Sequence, residues 1–269
     1  MLYIKTYCYS KHELPFIIAQ LEEGYNFIDK LCVYEYNYTH TGKEKNYEME
    51  NEIKKIPEKY MTKLYYKKVD LSKYNIDSYN NENLCHKINE PIQRNMFFND
   101  DEIILQNDDI IIDVDCDEII YEKSYPKLID ELKKKQIPLS IKLNQFFFKH
   151  NYLWTDCNFS SPTIYFYKHV KRIQKYIFDL KINNLRDLNN KTDNIYGCHM
   201  SWVMPIEEMV QKCYKTAHTK YRHLANKYIL QKAIKEKKYI FDLNRPFKIA
   251  EIALNDNRIP RFLQKNNIF

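Results

Sequence analysis

The sequence predicts an α/β protein: a mostly parallel sheet flanked by helices, with a helical C-terminal part. Three observations carry that reading. Strand-like apolar alternation gives way to amphipathic helical stretches, and back again, through about residue 150. One run, Ile110-Ile111-Ile112, is wholly apolar and β-branched and is bounded by acids, as a buried central strand is. No internal repeat or flexible linker interrupts the 269 residues, so a single domain over 1–269 is expected.

The elements follow in order. Residues 2–9 alternate and open the chain as a strand. Ser10 or Lys11 then starts a helix whose apolar face holds Leu14, Ile17, Ile18 and Leu21 and which closes near Gly24. Residues 30–36 form a second strand, 37–60 a long polar loop that carries Gly42 and Pro57 and includes a short helix, and 62–69 a third strand. Residues 82–99 read as helical, with Pro91 either kinking the middle or starting a second helix. An amphipathic helix over 124–135 and strands over 137–148 and 163–167 come next. Helices over 205–215 and 219–236 then dominate, ahead of an Asn-rich tail from Phe241.

Composition narrows the function. Hydrophobic residues make up 44% and charged residues 29%, enough apolar side chain for a buried core. No apolar run approaches the ~20 residues that span a bilayer, and the first residues carry no signal-peptide pattern, so a cytoplasmic protein without a membrane span is expected. Only three glycines occur (Gly24, Gly42 and Gly197), too far apart to write a P-loop or a dinucleotide fingerprint. Seven scattered cysteines without a Cys-X-X-Cys pair read as free thiols. The net charge of +6 is spread among mixed charges, which reads as a solvated surface with no nucleic-acid partner.

Chemistry concentrates after the Ile triplet, in Asp113-Val114-Asp115-Cys116-Asp117-Glu118. Alternate residues of an extended segment share a face, so Asp113, Asp115 and Asp117 converge. In a parallel sheet that rim is where ligands bind. Carboxylates so close repel unless a cation neutralises them, and magnesium or manganese, which takes oxygen ligands, suits the task. An EF-hand loop fails because Glu118 stands where glycine is required. A haloacid-dehalogenase-type phosphatase is weakened by the lack of a downstream Asp-Asp pair. The Asp-X-Asp motif of nucleotide-sugar glycosyltransferases remains.

Four segments then resemble glycosyltransferase family 17, the family of the β-1,4-mannosyl-glycoprotein N-acetylglucosaminyltransferase. They are His12-Glu13-Leu14 with Val33-Tyr34-Glu35 and 39–45, Glu90-Pro91-Ile92-Gln93-Arg94-Asn95, 107–119, and Gly197-Cys198-His199-Met200-Ser201-Trp202 with 212–218. They occur in the family's order over roughly 12–220. The chain departs from the pattern at Ile120, where the family has proline, and at Thr219-Lys220-Tyr221, where an acid is expected.

The resemblance implies a GT-A-type, Rossmann-like fold. Residues 1–120 would be the nucleotide-sugar-binding half, and 121–269 the acceptor-facing half with the C-terminal helices. It implies an inverting, metal-dependent transfer of a sugar, N-acetylglucosamine in the family, from a UDP-sugar to a glycan or other hydroxyl. It assigns metal coordination to Asp115 and Asp117, with His199 and His218 as further ligands. Glu13, Glu35, Thr41, Arg94, Asp113 and Lys212 would bind the nucleotide-sugar. A carboxylate must take the acceptor proton, and Glu207, Glu208 and Asp156 are candidates that spacing does not separate. Tyr152, Trp154 and Trp202 are candidates for stacking on a sugar. Two other functions use the same residues differently: a metal-dependent phosphoesterase built on the acidic cluster, and a non-enzymatic basic nucleic-acid binder.

Overall fold

A computed structural model describes residues 1–74, 85–177, 179–186, 188–215, 219–239, 241 and 247–266. Its centre is a large sheet, mostly parallel in its longest ladders and flanked by helices. Strand β1 (Leu2–Cys8) lies between β2 (Lys30–Tyr36) and β4 (Ile110–Asp113), and β3 (Leu64–Val69) lies outside β2, all four parallel. Helix α1 (Leu14–Gly24) connects β1 to β2. The chain then returns past β1 through helix α2 (Glu90–Asn95) to enter β4. The order β3-β2-β1-β4 therefore reverses direction between β1 and β4. A crevice opens at such a reversal, beyond the carboxyl ends of the two strands.

The rest of the sheet is mixed. Strand β8 (Thr163–Phe166) runs antiparallel to β4 and to the start of β6 (Leu139–Phe147). Further along the same edge, β7 (Tyr152–Phe159) replaces β8 as the antiparallel neighbour of β6, and β12 (Ile249–Glu251) pairs with β7. The other edge of β6 takes the long parallel strand β11 (Lys191–Ser201). One sheet thus runs through both halves of the chain.

Strand β5 (Glu118–Ile120), which follows the acidic loop, pairs antiparallel with Gly197 to His199 of β11. The approach is too close for any side chain at 197. A Cβ there would lie 2.1 Å from the Ile119 carbonyl oxygen. Glycine at this position lets β5 lock the acidic loop onto the C-terminal half of the sheet.

Both faces of β1, β2 and β4 are buried, although β1 carries Lys5 and Thr6 among its apolar residues. On one face Ile4, Val33 and Ile112 meet Ile17 and Leu21 of α1 and Leu128 and Leu132 of helix α3 (Tyr125–Lys135). On the other, Tyr3, Tyr34 and Ile111 meet Ile92 of α2 together with Phe97 and Leu180. Leu180 belongs to a separate ribbon of β9 (Lys175–Ile177) and β10 (Leu180–Ile182). Helices α4 (Ile206–Lys215) and α5 (Lys227–Glu236) pack Met209, Cys213, Leu230 and Ala233 behind an aromatic cluster of the C-terminal half. Among the described residues no helix is long and apolar enough to cross a membrane.

The structure corrects one expected helix, settles the winding around Pro91 and adds a strand. The stretch 219–236 is not one helix. A 3-10 segment over Thr219–Leu224 ends before Asn226, whose side chain accepts from the Tyr228 and Ile229 amides and caps a new helix. Within 82–99, of which 82–84 lie outside the described residues, a π-helical turn over Cys85–Asn89 runs directly into α2, and Pro91 sits in the first turn of α2 just past that change of winding. Residues 191–201, which lack clean alternation, form the longest strand.

Candidate active site

The crevice between β1 and β4 is a cleft of about 350 Å³. Tyr7 and Tyr9 at the end of β1 form one side with His40, whose ring meets that of Tyr9 edge-on at 4.7 Å. The acidic loop after β4 forms the floor, exposing Asp115 and Asp117. Phe147, Trp154, Trp202, Tyr239 and Phe241 make an aromatic wall opposite.

The acidic loop is held from beneath. Gln20 of α1 donates its amide N–H groups to the carbonyls of Asp115, Cys116 and Glu118 at 3.0–3.1 Å. The Asp115 amide donates to Glu118 Oε2 at 2.7 Å, so Glu118 closes its own turn. Arg186, from the segment after β10, reaches in with 10% of its side chain exposed. Its Nη2 lies 2.7 Å from Glu118 Oε1 and 3.5 Å from Asp115, and its Nη1 lies 3.1 Å from Glu118 Oε2. Arg94 of α2 lies 2.6 Å from Asp115 and 2.8 Å from Glu90, and its guanidinium sits over the Tyr7 ring.

These cations change the electrostatic argument. The sequence assigns repulsion among the acids to a metal ion, whereas Lys5, Arg94, Arg186 and Lys212 already oppose them. Burial works to raise the Asp115 carboxyl, but the Arg186 and Arg94 guanidiniums outweigh it and hold the group well below the usual carboxylate range. Burial likewise raises Asp117, and His199 and Lys212 reverse the sign and lower it. For Glu118 burial wins over Arg186 and pushes the carboxyl up.

The fit to a metal therefore rests on the donors themselves. Among the described residues no three His, Cys, Asp or Glu side chains already enclose an ion. Asp117 is the more weakly held of the two aspartates, 3.6 Å from His199 Nε2 and 3.7 Å from Lys212 Nζ. Gln145 Nε2 donates to the Phe146 carbonyl, which turns Gln145 Oε1 toward His199 Nδ1 at 2.9 Å. With Nδ1 donating, Nε2 faces the Asp117 carboxylate across a gap that calls for a proton or a cation. Asp117 offers an oxygen and His199 a nitrogen, a pair that suits manganese better than magnesium, whereas Asp115 is taken by the guanidiniums.

The sequence candidates divide. Asp115, Asp117, Arg94, Lys212, His199 and Glu13 all line the cleft. Asp113 does not; it lies one layer deeper, 2.6 Å from the buried Lys5 amine. Glu35 is fully buried elsewhere, accepting from the Glu48 and Met49 amides, Lys45 and the Tyr66 hydroxyl, and so ties down the loop after β2. Thr41 shares a hydrogen bond with Thr39 in that loop. His218 lies outside the described residues.

None of the three base candidates lines the cleft. Glu207 is 58% exposed and paired with Lys227, Asp156 is exposed and accepts from the Lys248 amide, and Glu208 pairs with His12 at 2.9 Å in a side pocket. Trp154 and Trp202 line the cleft, whereas Tyr152 is buried away from it. Gln20, Gln145 and Arg186 were not legible. Each works through a partner more than fifty positions away, and no local pattern marks them.

Backbone strain lies in the aromatic wall, at Trp202, and beside it, at Phe148. Phe148 and Trp202, which directly follow β6 and β11, adopt φ values of 68° and 57°. Bulky residues in the left-handed region cost ~1–3 kcal/mol each and cluster at functional sites. Lys212 links wall and floor, with its amine 5.4 Å over the Trp202 ring and 3.7 Å from Asp117.

No protein-family model matches this sequence, and no curated protein matches it.

Proposed function

We propose that this protein is a metal-assisted glycosyltransferase of the GT-A type, moving a sugar from a nucleoside-diphosphate donor to a hydroxyl of a glycan. The observation that carries the reading is the meeting, at one strand-order reversal, of the Asp115-X-Asp117 loop, fixed cations and an aromatic wall. The β3-β2-β1-β4 order supports a Rossmann-like donor half. The aromatic wall belongs wholly to residues 121–269, the half that would face the acceptor. The order of the sequence motifs supports placement with glycosyltransferase family 17, and with it a UDP-sugar donor carrying N-acetylglucosamine.

A manganese or magnesium ion, when bound, supplies charge neutralisation for the donor diphosphate, and Asp117 with His199 would hold it. The chain's own residues divide the remaining work. Lys212 is placed to bind a diphosphate oxygen, which draws its charge off Asp117. Arg94 and Arg186 keep Asp115 ionised and the loop in register. Tyr7, Tyr9 and His40 offer ring faces and edges to the nucleoside, and the opposite wall takes the apolar face of a sugar ring. Transfer is then an in-line displacement at the anomeric carbon through an oxocarbenium-like transition state.

The test is a donor screen: purified protein, manganese, a panel of nucleotide sugars and oligosaccharide acceptors, with products read by mass spectrometry. One donor consumed, its sugar found on the acceptor, and the loss of both with chelator or Asp117→Asn would support the proposal. Release of inorganic phosphate without transfer would favour the phosphoesterase reading. Polynucleotide binding by a protein inert to every donor would favour the nucleic-acid reading.

A further inference from the structure

Among the described residues four carboxylates line the cleft, and three are held by cations: Glu90 by Arg94, Asp115 by Arg94 and Arg186, and Asp117 by His199 and Lys212. Glu13 is different. Among the described residues it has no ion pair. Its Oε2 accepts from the Tyr9 and Ser10 amides at 2.5 and 3.2 Å, which fixes the side chain, and its Oε1 has no hydrogen-bond partner among the described residues. Glu13 also stands on a boundary. A side pocket of about 60 Å³, with Phe16 and Met204 at its apolar end, shares Tyr9, Glu13 and Lys212 with the main cleft.

We propose that Glu13 is the general base of the transfer, its Oε1 taking the proton of the acceptor hydroxyl while Oε2 stays anchored on the backbone. The inference rests on the glycosyltransferase reading. In the step it completes, the acceptor oxygen forms a bond to the anomeric carbon and its proton passes to Glu13. The bond from that carbon to the diphosphate oxygen breaks, and its electron pair leaves with the nucleoside diphosphate. Burial pushes the Glu13 carboxyl up to about 7, the Tyr9 amide opposing and the Asp117 charge adding to the rise. A base so poised accepts a proton at neutral pH and releases it to solvent afterward. The assignment fills the role left open by the positions of Glu207, Glu208 and Asp156.

The capping role of Glu13 gives a clean control. In Glu13→Gln the amide oxygen can still accept from the Tyr9 and Ser10 N–H groups, so the cap survives while the base is lost. The expected result is a fall in kcat of about 100-fold or more, with UDP affinity by calorimetry unchanged within twofold. Glu13→Asp, which keeps a carboxylate but shortens it, should retain partial turnover. A Glu13→Gln enzyme with more than a third of wild-type kcat would overturn the assignment and leave the glycosyltransferase reading intact. A wild-type protein that consumes no donor would sink both.

Discussion

Replacing Arg186 by methionine removes a guanidinium from beneath the acidic loop and leaves Glu118, whose side chain is 0% exposed, without its cation. Methionine approximates the stem, so lost packing is small beside lost charge. Breaking a buried ion pair from one side costs about 3–5 kcal/mol, because the remaining charge stays desolvated. At roughly 2–3 °C per kcal/mol for a chain of this size, the midpoint of thermal unfolding should fall by about 6–15 °C. The penalty should also depend on pH. Without the guanidinium the folded-state pKa of Glu118, already raised by burial, rises further. A raised folded-state pKa means stability declines as pH climbs from the ordinary glutamate value toward the folded one. Arg186→Met should therefore lose more stability at pH 8 than at pH 5. The double variant Arg186→Met/Glu118→Gln should recover part of the loss, with a coupling of about 1–3 kcal/mol. Circular dichroism melts of the four proteins at both pH values measure this. An Arg186→Met protein melting within 2 °C of wild type at pH 8 would refute the claim that this arginine holds the loop.

Three further outcomes follow from the same geometry. Gly197→Ala forces a Cβ against the Ile119 carbonyl, so chemical denaturation should show a loss of about 1–3 kcal/mol or more; an unchanged midpoint would mean that β5 does not cross there. Glu35→Gln turns an amide N–H group toward backbone donors and should cost about 1–3 kcal/mol while leaving UDP affinity unchanged. A stable protein that has lost UDP binding would instead restore Glu35 to the donor site. Because the Glu13 carboxyl rises from 4.5 to about 7 on folding, its contribution to stability is lost as pH climbs through that window. Urea midpoints at pH 5 and 7.5 should show a shallower decline in Glu13→Gln than in wild type, and identical slopes would count against a buried carboxyl at this position.

What the sequence made legible was what local pattern encodes. The apolar run of β4, the alternation of β1 and the β-rich composition of β2 and β3 announce the parallel strands, and α1 shows its Leu14, Ile17, Ile18, Leu21 stripe. Strand β11 escaped because its burial follows two different neighbours: β6 along most of its length and β5 only around Gly197, Cys198 and His199. The break between Thr219–Leu224 and α5 depends on a single cap at Asn226 within a stretch that otherwise reads as one helix. At the site, motif residues clustered along the chain were found: Asp115, Asp117, Arg94, His199 and Lys212. Two of the cations that balance the acids, Lys5 and Arg186, were not: Lys5 lies inside β1, and Arg186 follows the β9–β10 ribbon, 68 positions beyond Glu118. Charge compensation is a property of packing, and a sequence scanned for acids alone asks for a metal before it finds the arginines. The base candidates failed for a related reason. Membership of the C-terminal half selected Glu207 and Glu208, but the register of α4 turns Glu207 to solvent and sends Glu208 to His12, while Lys212 one turn later faces the cleft.

The proposed function puts a nucleotide-sugar in the crevice between β1 and β4, with Asp117 at its charged end. Crystals grown with UDP and manganese, with diffraction collected at the manganese absorption edge, test it most directly. The expected result is an anomalous peak against Asp117 and His199, with the diphosphate reaching Lys212 and the uridine against Tyr7, Tyr9 and His40. Nucleotide bound elsewhere on the protein, or manganese remote from Asp117 with the crevice filled by solvent, would contradict it.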